Sequence, residues 1–104
     1  MKNLFNGDMM KQVRQMQDQL KKAQKELEQE TVVGTAGGGV VEIAMTGSQK
    51  GMEVKLDPEK VKNMSTDRLQ ALILQAMNDA LDRSRKLMAK KLGPLGGGLG
   101  GLKL

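Results

Sequence analysis

The basic side chains near the carboxyl end are the residues best suited to chemistry, and that chemistry is phosphate binding. Residues 83–104 hold six Lys and Arg and no acid, whereas residues 1–82 hold 11 Lys and Arg against 12 Asp and Glu. Lys and Arg neutralise phosphates and release their counterions, so the asymmetry indicates a polyanionic partner. The alternative is that these cations complement the carboxyl end of a helix and raise solubility.

The residue types on which most catalytic and metal sites depend are missing. The chain has no Cys and no His, which removes thiolate ligands and the usual general base. Gly37–Gly39 leads into a strand and not a helix, so we interpret it as a turn and not a phosphate-binding loop. Asp79 and Asp82 lack a third acid nearby, and we expect Asn78 and Asp79 to hydrogen-bond the sheet or a neighbouring helix. We therefore predict no enzyme, no cofactor, no metal site and no small-molecule substrate.

Hydrophobic periodicity predicts an α+β fold of a helix, a three-stranded antiparallel sheet and a second helix. From Asp8 to about Glu30, apolar residues recur every three or four positions, as in a coiled-coil seam. The middle of the chain alternates apolar and polar residues between glycine-rich turns, which predicts strands with one buried face each. The predicted strands are residues 31–36, 40–46 and 52–57.

The last helix is predicted from about Thr66 to Leu92, where Gly93-Pro94 should stop it sharply. The residues that follow are mostly Gly and Leu, a composition that favours disorder. We therefore expect one domain over residues 1–92 and a disordered tail over residues 93–104.

The order of the elements predicts what the free helix ends carry. Both helices join the sheet at their inner ends, Glu30 and Ser65, so antiparallel packing would place Met9 beside Leu87. The distal tip would then gather cations opposed only by Asp8. These candidate phosphate contacts are Lys2, Lys11, Arg14, Arg85, Lys86, Lys90 and Lys91.

The apolar seams need a second copy to cover them. A chain with one aromatic residue and nine Met has a thin core. A helix of about 23 residues is about 35 Å long, more than three short strands can cover. We therefore predict a homodimer that displays two separated basic tips, an arrangement suited to clamping a duplex.

Four stretches of the sequence, in this order and spacing, carry a resemblance to a known family. They are Met9–Gln17, Gly34–Gly39, Val54–Pro58 and Ala76–Ala80. Together with the Gly/Leu-rich tail they resemble the YbaB/EbfC family of bacterial nucleoid-associated proteins over nearly the whole chain. The resemblance implies an elongated, tweezer-like dimer that binds DNA with little sequence preference and contributes to nucleoid organisation, or to regulation of particular promoters. It transfers no catalytic motif and no fixed set of DNA contacts.

The leading hypothesis is a nucleoid-associated homodimer that binds double-stranded DNA through phosphates. No aromatic residue lies among the cations, which argues against stacking on single strands. About six phosphate contacts predict a slope near −5 for log K against log salt. The alternative is a prefoldin-like holdase or protein-interaction module, whose helix tips would meet unfolded proteins or an acidic partner.

The sequence also predicts where the protein works. Met1–Asp8 has no apolar core of a secretory signal, and the longest clearly apolar run, Ala71–Leu74, is far too short to span a membrane. We therefore expect no membrane partner and a location in the cytoplasm and nucleoid.

Overall fold

The computed structural model describes the backbone of residues 2–96 and the side chains of residues 7–94. The elements in chain order are α1 (Lys2–Gln29), β1 (Thr31–Ala36), β2 (Val41–Thr46), β3 (Gly51–Leu56), α2 (Pro58–Val61) and α3 (Thr66–Gly96). The predicted α+β fold is confirmed, and the molecule is elongated, with extents of 74 × 24 × 16 Å. No helix within residues 2–96 has an apolar stretch long enough to cross a membrane.

The three strands form one antiparallel sheet in the order β1-β2-β3. Gly37–Gly39 joins β1 to β2 with φ angles of 64°, 68° and 99°, which glycine adopts without a Cβ clash. The interpretation of these glycines as a turn is therefore confirmed. The β2–β3 ladder pairs Ile43 with Val54 and carries a bulge at Ala44/Met45.

Helix α3 lies across β1 and β2, and the core forms between them. The buried core residues are Ala36, Val40, Val41, Ile43, Met45, Leu72, Ala76 and Ala80. Gly34 allows α3 to approach β1 closely, because a Cβ at this position would overlap the carbonyl oxygen of Ala76 and the backbone nitrogen of Ala80. Small residues on both elements thus fix how closely α3 sits on the sheet.

Strand β3 departs from the predicted pattern, because neither of its faces is buried in the single chain. Val54 is 58% exposed, although Ile43, its partner across the ladder, is only 4% exposed beneath α3. Alternation predicted one buried face for every strand. A helix about 10 Å wide covers only two strands spaced about 4.8 Å apart, so α3 leaves the third strand uncovered.

The two long helices meet at one end of the sheet. Helix α1 leads into β1 at the end of the sheet where Gly47 lies. Because the sheet has three antiparallel strands, β3 ends at the opposite end of the sheet. Helix α3 therefore starts at that opposite end and runs back along the sheet towards Gly47. Leu87 then reaches Leu27, and both side chains lie against Gly47. The predicted contact between Met9 and Leu87 is therefore wrong. Met9 lies 18 residues further along α1 than Leu27, or about 27 Å.

Both long helices extend further than the sequence indicated. Helix α1 begins at Lys2 and not near Asp8, and α3 continues through Gly93-Pro94 to Gly96. The predicted stop is wrong: Pro94 lies inside α3, although proline removes the hydrogen bond that this backbone nitrogen would donate to the carbonyl of Lys90. Residues 93–96 are thus helical, and residues 97–104 of the predicted disordered tail lie outside the described residues.

Candidate nucleic-acid interface

Lys86 and Lys90 form an exposed pair on α3. They are four residues apart and therefore share one helix face. Within the described residues, neither has an acid at ion-pair distance. They are two residues away from Met88 and Leu92, which line the contact with α1, so the pair faces away from α1. Both charges are available to an anion approaching from solvent.

Arg85, another predicted contact, is paired with an acid of its own helix. Its Nη1 donates a hydrogen bond to Asp82 Oδ1 at 3.1 Å. The arginine and aspartate side chains are 63% and 65% exposed, and such a surface pair contributes little free energy. Arg85 can therefore leave the Asp82 carboxylate and bind a phosphate with little loss of free energy.

Lys91 is held by two carboxylates of α1. Its Nζ lies 2.8 Å from Glu30 Oε2 and 3.6 Å from Glu26 Oε1. The hydrogen bond to Glu30 is the main cause that raises the pKa of Lys91; desolvation opposes it, and the charge on Glu26 adds to it. The prediction that only Asp8 opposes the tip cations is wrong. The basic run contains no acid in sequence, but the fold brings two acids from α1 beside it.

Helix α1 carries a second set of exposed cations on the face opposite its packed residues. Lys25 is two residues from Leu27, which is buried, and therefore points about 160° away from it around the helix. The same spacing relates Lys21 to Ala23, which is also buried. We call the cations along this side the α1 stripe: Lys11, Arg14, Lys21, Lys22 and Lys25.

The α1 stripe is long and almost free of acids. From Lys11 to Lys25 it spans about 21 Å, or roughly six steps of 3.4 Å along a DNA strand. Asp18 is the acid that lies within it, and no stripe residue forms an ion pair with a described residue. Glu26, which follows Lys25 in sequence, turns towards α3 and Lys91.

The seven predicted contacts do not form one cluster. Lys11 and Arg14 lie on residues 7–19 of α1, which are all exposed and project beyond α3. Lys86 and Lys90 lie beside the other end of α1 and face away from it. Lys2 begins α1, and its side chain lies outside the described residues. One chain thus presents two separate basic surfaces.

Lys21, Lys22 and Lys25 are exposed cations of α1 that the sequence reasoning left out. Their neighbours Glu26 and Glu28 made the outer face of the helix look balanced in charge. The missed signal was the position of each residue around the helix: the apolar seam locates the packed side, and these lysines fall on the opposite side.

Asp79 has a structural role, as predicted. Its Oδ2 accepts a hydrogen bond from the Thr35 backbone N–H at 2.9 Å and another from Arg83 Nε at 3.0 Å. These two hydrogen bonds, the first of them foremost, lower the pKa of Asp79. The carboxylate thereby ties α3 to the outer edge of β1, whereas Asn78 is exposed in the single chain.

The chain is similar in sequence to bacterial nucleoid-associated proteins. A "Nucleoid-associated protein" of Dictyoglomus turgidum is 46% identical over 99 residues, which is 95% of this chain and 93% of that protein. One of Rhodococcus opacus is 40% identical over 95 residues, which is 91% of this chain and 84% of that protein.

The fold is also found in a solved structure. The uncharacterized protein HP0035 from Helicobacter pylori matches with a TM-score of 0.65 over 88% of this chain and 91% of that one, at 14% sequence identity. A family model described as the YbaB/EbfC DNA-binding family matches residues 1–99. The chain therefore belongs to the YbaB/EbfC DNA-binding family.

Proposed function

We propose that this protein is nucleoid-associated and binds double-stranded DNA as a homodimer, mainly through phosphates and with little sequence preference. In this role it organises the nucleoid and influences gene expression from within the cytoplasm. Membership of the family supports DNA as the partner. The observation that carries the proposal is the α1 stripe, a row of exposed cations without ion-pair partners among the described residues.

The chemistry of the exposed cations favours phosphate binding over base reading. The α1 stripe contains four lysines and one arginine, and the α3 pair is two lysines. Lysine is a flexible point charge, whereas bidentate recognition of guanine is typical of arginine. The chain has a single aromatic residue, so it lacks a platform on which unpaired bases could stack.

A homodimer is supported by the apolar surface that a single chain leaves in water. Met9, Val13 and Met16 on the projecting part of α1 are 39–52% exposed. The apolar residues of β3 on the side of the sheet that α3 packs against are also exposed. The sedimentation-equilibrium mass of the full chain at micromolar concentration should be twice 11.3 kDa. A monomer mass under these conditions would remove the dimer from the proposal.

DNA binding is tested by fluorescence anisotropy with labelled duplexes of several unrelated sequences and with single strands. We expect similar affinities among the duplexes, weaker binding to the single strands, and a steep loss of affinity with salt. Binding that does not change with salt, or no binding at low salt, would contradict the proposal.

A holdase is the second candidate, and the exposed methionines of α1 favour it. Met9, Met10 and Met16 lie on the projecting part of α1, and flexible methionine surfaces suit varied apolar clients. A holdase should suppress aggregation of a chemically denatured protein, and added DNA should not relieve that suppression. DNA binding without suppression of aggregation would leave the first proposal standing alone.

A further inference from the structure

The apolar seam of α1 continues past the point where α3 ends. Leu27 and Ala23 are buried where α1 packs on α3. The seam then continues, with the same spacing of three and four residues, into exposed side chains that we call the outer seam: Met16, Val13 and Met9. These side chains are 39–52% exposed, so the outer seam is an apolar surface without a partner among the described residues.

The position at which α3 ends brings the chain to the outer seam. Leu87 and Leu27 both lie against Gly47, and α1 and α3 run in opposite directions beside each other. Each residue further along α3 is therefore level with one residue nearer to the start of α1. Gly96 lies nine residues after Leu87, so it is level with about residue 18, nine residues before Leu27. The outer seam begins just beyond this level.

The residues that follow α3 are long enough to cover the outer seam. Residues 97–104, which we call the terminal segment, have the sequence Gly-Gly-Leu-Gly-Gly-Leu-Lys-Leu. Eight extended residues reach up to about 26 Å, whereas Met9 lies about 14 Å from the level of residue 18. The leucines supply apolar side chains, and the glycines allow the backbone to approach a helix closely. Both the length and the residue types match the outer seam.

We infer that the terminal segment packs along the outer seam of its own chain, with its leucines on Met9, Val13 and Met16. The composition of the segment predicts that it has no regular structure by itself, so contact with α1 supplies its order. The contact shields the methionines of the outer seam, and an apolar client would first have to displace the segment. This inference goes beyond the proposed function, because it requires neither DNA nor a second copy.

Two arguments favour the chain's own terminal segment over other occupants. The outer seam is continuous with the α1–α3 contact, and the segment directly continues α3, so it starts beside the surface that it covers. The short tether also gives it an effective concentration of about millimolar, above that of separate molecules at micromolar concentration. The position of the segment is compatible with the proposed function. Lys11 and Arg14 point away from the outer seam and remain free for phosphates, and the apolar residues of β3 remain free for a second copy.

Methionine oxidation of the full chain by dilute hydrogen peroxide, followed by mass spectrometry, tests the contact. Wild type should oxidise Met9 and Met16 more slowly than Met10, which points about 100° away from Met9 around the helix. The test variant replaces the three leucines of the terminal segment together: Leu99→Ser, Leu102→Ser and Leu104→Ser. Oxidation of Met9 and Met16 should then become at least about threefold faster, while Met10 keeps its rate.

Two controls accompany the oxidation test. Lys103→Ser changes the terminal segment but keeps its leucines, so it should behave as wild type does. Met45 is buried in the core and should stay slow in every variant, which reports that the fold is intact. Equal oxidation rates of Met9 and Met16 in wild type and in the folded test variant would overturn the inference.

A disulfide identifies which copy supplies the segment, and it does not require the serine variant to fold. The chain has no cysteine, so Val13→Cys with Leu99→Cys introduces the only two. Oxidation should close a disulfide within one chain, which migrates as a monomer on a non-reducing gel and resists thiol alkylation. Gln15→Cys with Leu99→Cys is the matched control, because Gln15 points about 160° away from Val13; it should close at least about tenfold more slowly. Equal rates for the two pairs, or a linked dimer from the Val13/Leu99 pair, would overturn the inference.

Discussion

At the scale of single residues, ion pairing within the chain decides which cations are available to DNA. The composition places the net positive charge of the chain after residue 82. It does not show that Lys91 meets Glu26 and Glu30, because these residues are more than 60 positions apart and only the packing of α3 on α1 joins them. Lys86 and Lys90, on the opposite side of α3, keep their charges exposed.

The Lys91 ion pairs make a prediction about pH. Because the folded state raises the pKa of Lys91 above 10.5, its stabilisation is complete below pH 10.5 and is lost as the pH rises through the raised pKa. Lys91→Met should lower Tm at pH 7, since it leaves two carboxylates side by side, and the gap to wild type should close at high pH. Lys90→Met is the control and should match wild type. Equal Tm values for the two variants at pH 7 would show that the ion pairs contribute nothing.

At the scale of elements, residue types and their alternation predicted where the strands lie, but they did not predict which strands a helix covers. The bounds of β1 and the glycine turn followed from residue type, since β-branched residues and consecutive glycines act locally. The exposure of β3 depends on how many strands one helix can cover, which no alternation pattern contains. The end of α3 was predicted too early because Gly93-Pro94 was treated as a stop, whereas the helical backbone continues through both residues to Gly96.

The contact between α3 and β1 can be tested at Gly34. Gly34→Ala places a methyl group against the backbone of α3 at Ala76 and Ala80, which cannot move aside as a side chain would. We expect a loss of about 1–3 kcal/mol or more in the free energy of unfolding, measured by urea denaturation. Gly51→Ala, where nothing lies within 4 Å of the added Cβ, should be close to neutral. A Gly34→Ala variant as stable as Gly51→Ala would mean that α3 does not sit this close to β1.

The α1 stripe makes a prediction at the scale of one helix. Lys21→Glu with Lys25→Glu reverses two exposed charges opposite the packed side, so DNA affinity should fall at least about tenfold at low salt while Tm stays near that of wild type. The control is Glu28→Gln, which removes a nearby acid and should not weaken binding. Unchanged affinity of the double variant in the anisotropy assay would exclude this stripe as a contact surface.

At the scale of the whole molecule, the odd number of strands in the sheet decides where the basic surfaces lie. Three strands send α3 back along the sheet before it meets α1, so α1 projects alone and the predicted single tip becomes two separate surfaces. The order of the elements could be predicted from the sequence, but the part of α1 that lies beside α3 could not. In the proposed dimer the two surfaces are duplicated, which gives an elongated molecule several places at which to contact a duplex.

The central claim, that exposed lysines hold DNA by its phosphates, is tested most directly by the salt dependence of duplex binding. We would compare wild type with Lys21→Gln/Lys25→Gln, two lysines of the α1 stripe, and with the matched control Lys60→Gln/Lys62→Gln, two exposed lysines at the opposite end of the sheet. Lys91 is left intact because its substitution would disturb Glu26 and Glu30. Wild type and control should give a slope near −5 for log K against log salt, and the test variant should be less steep by at least about two units, equally on every duplex sequence. The same slope in all three proteins, or a loss confined to one DNA sequence, would contradict the claim.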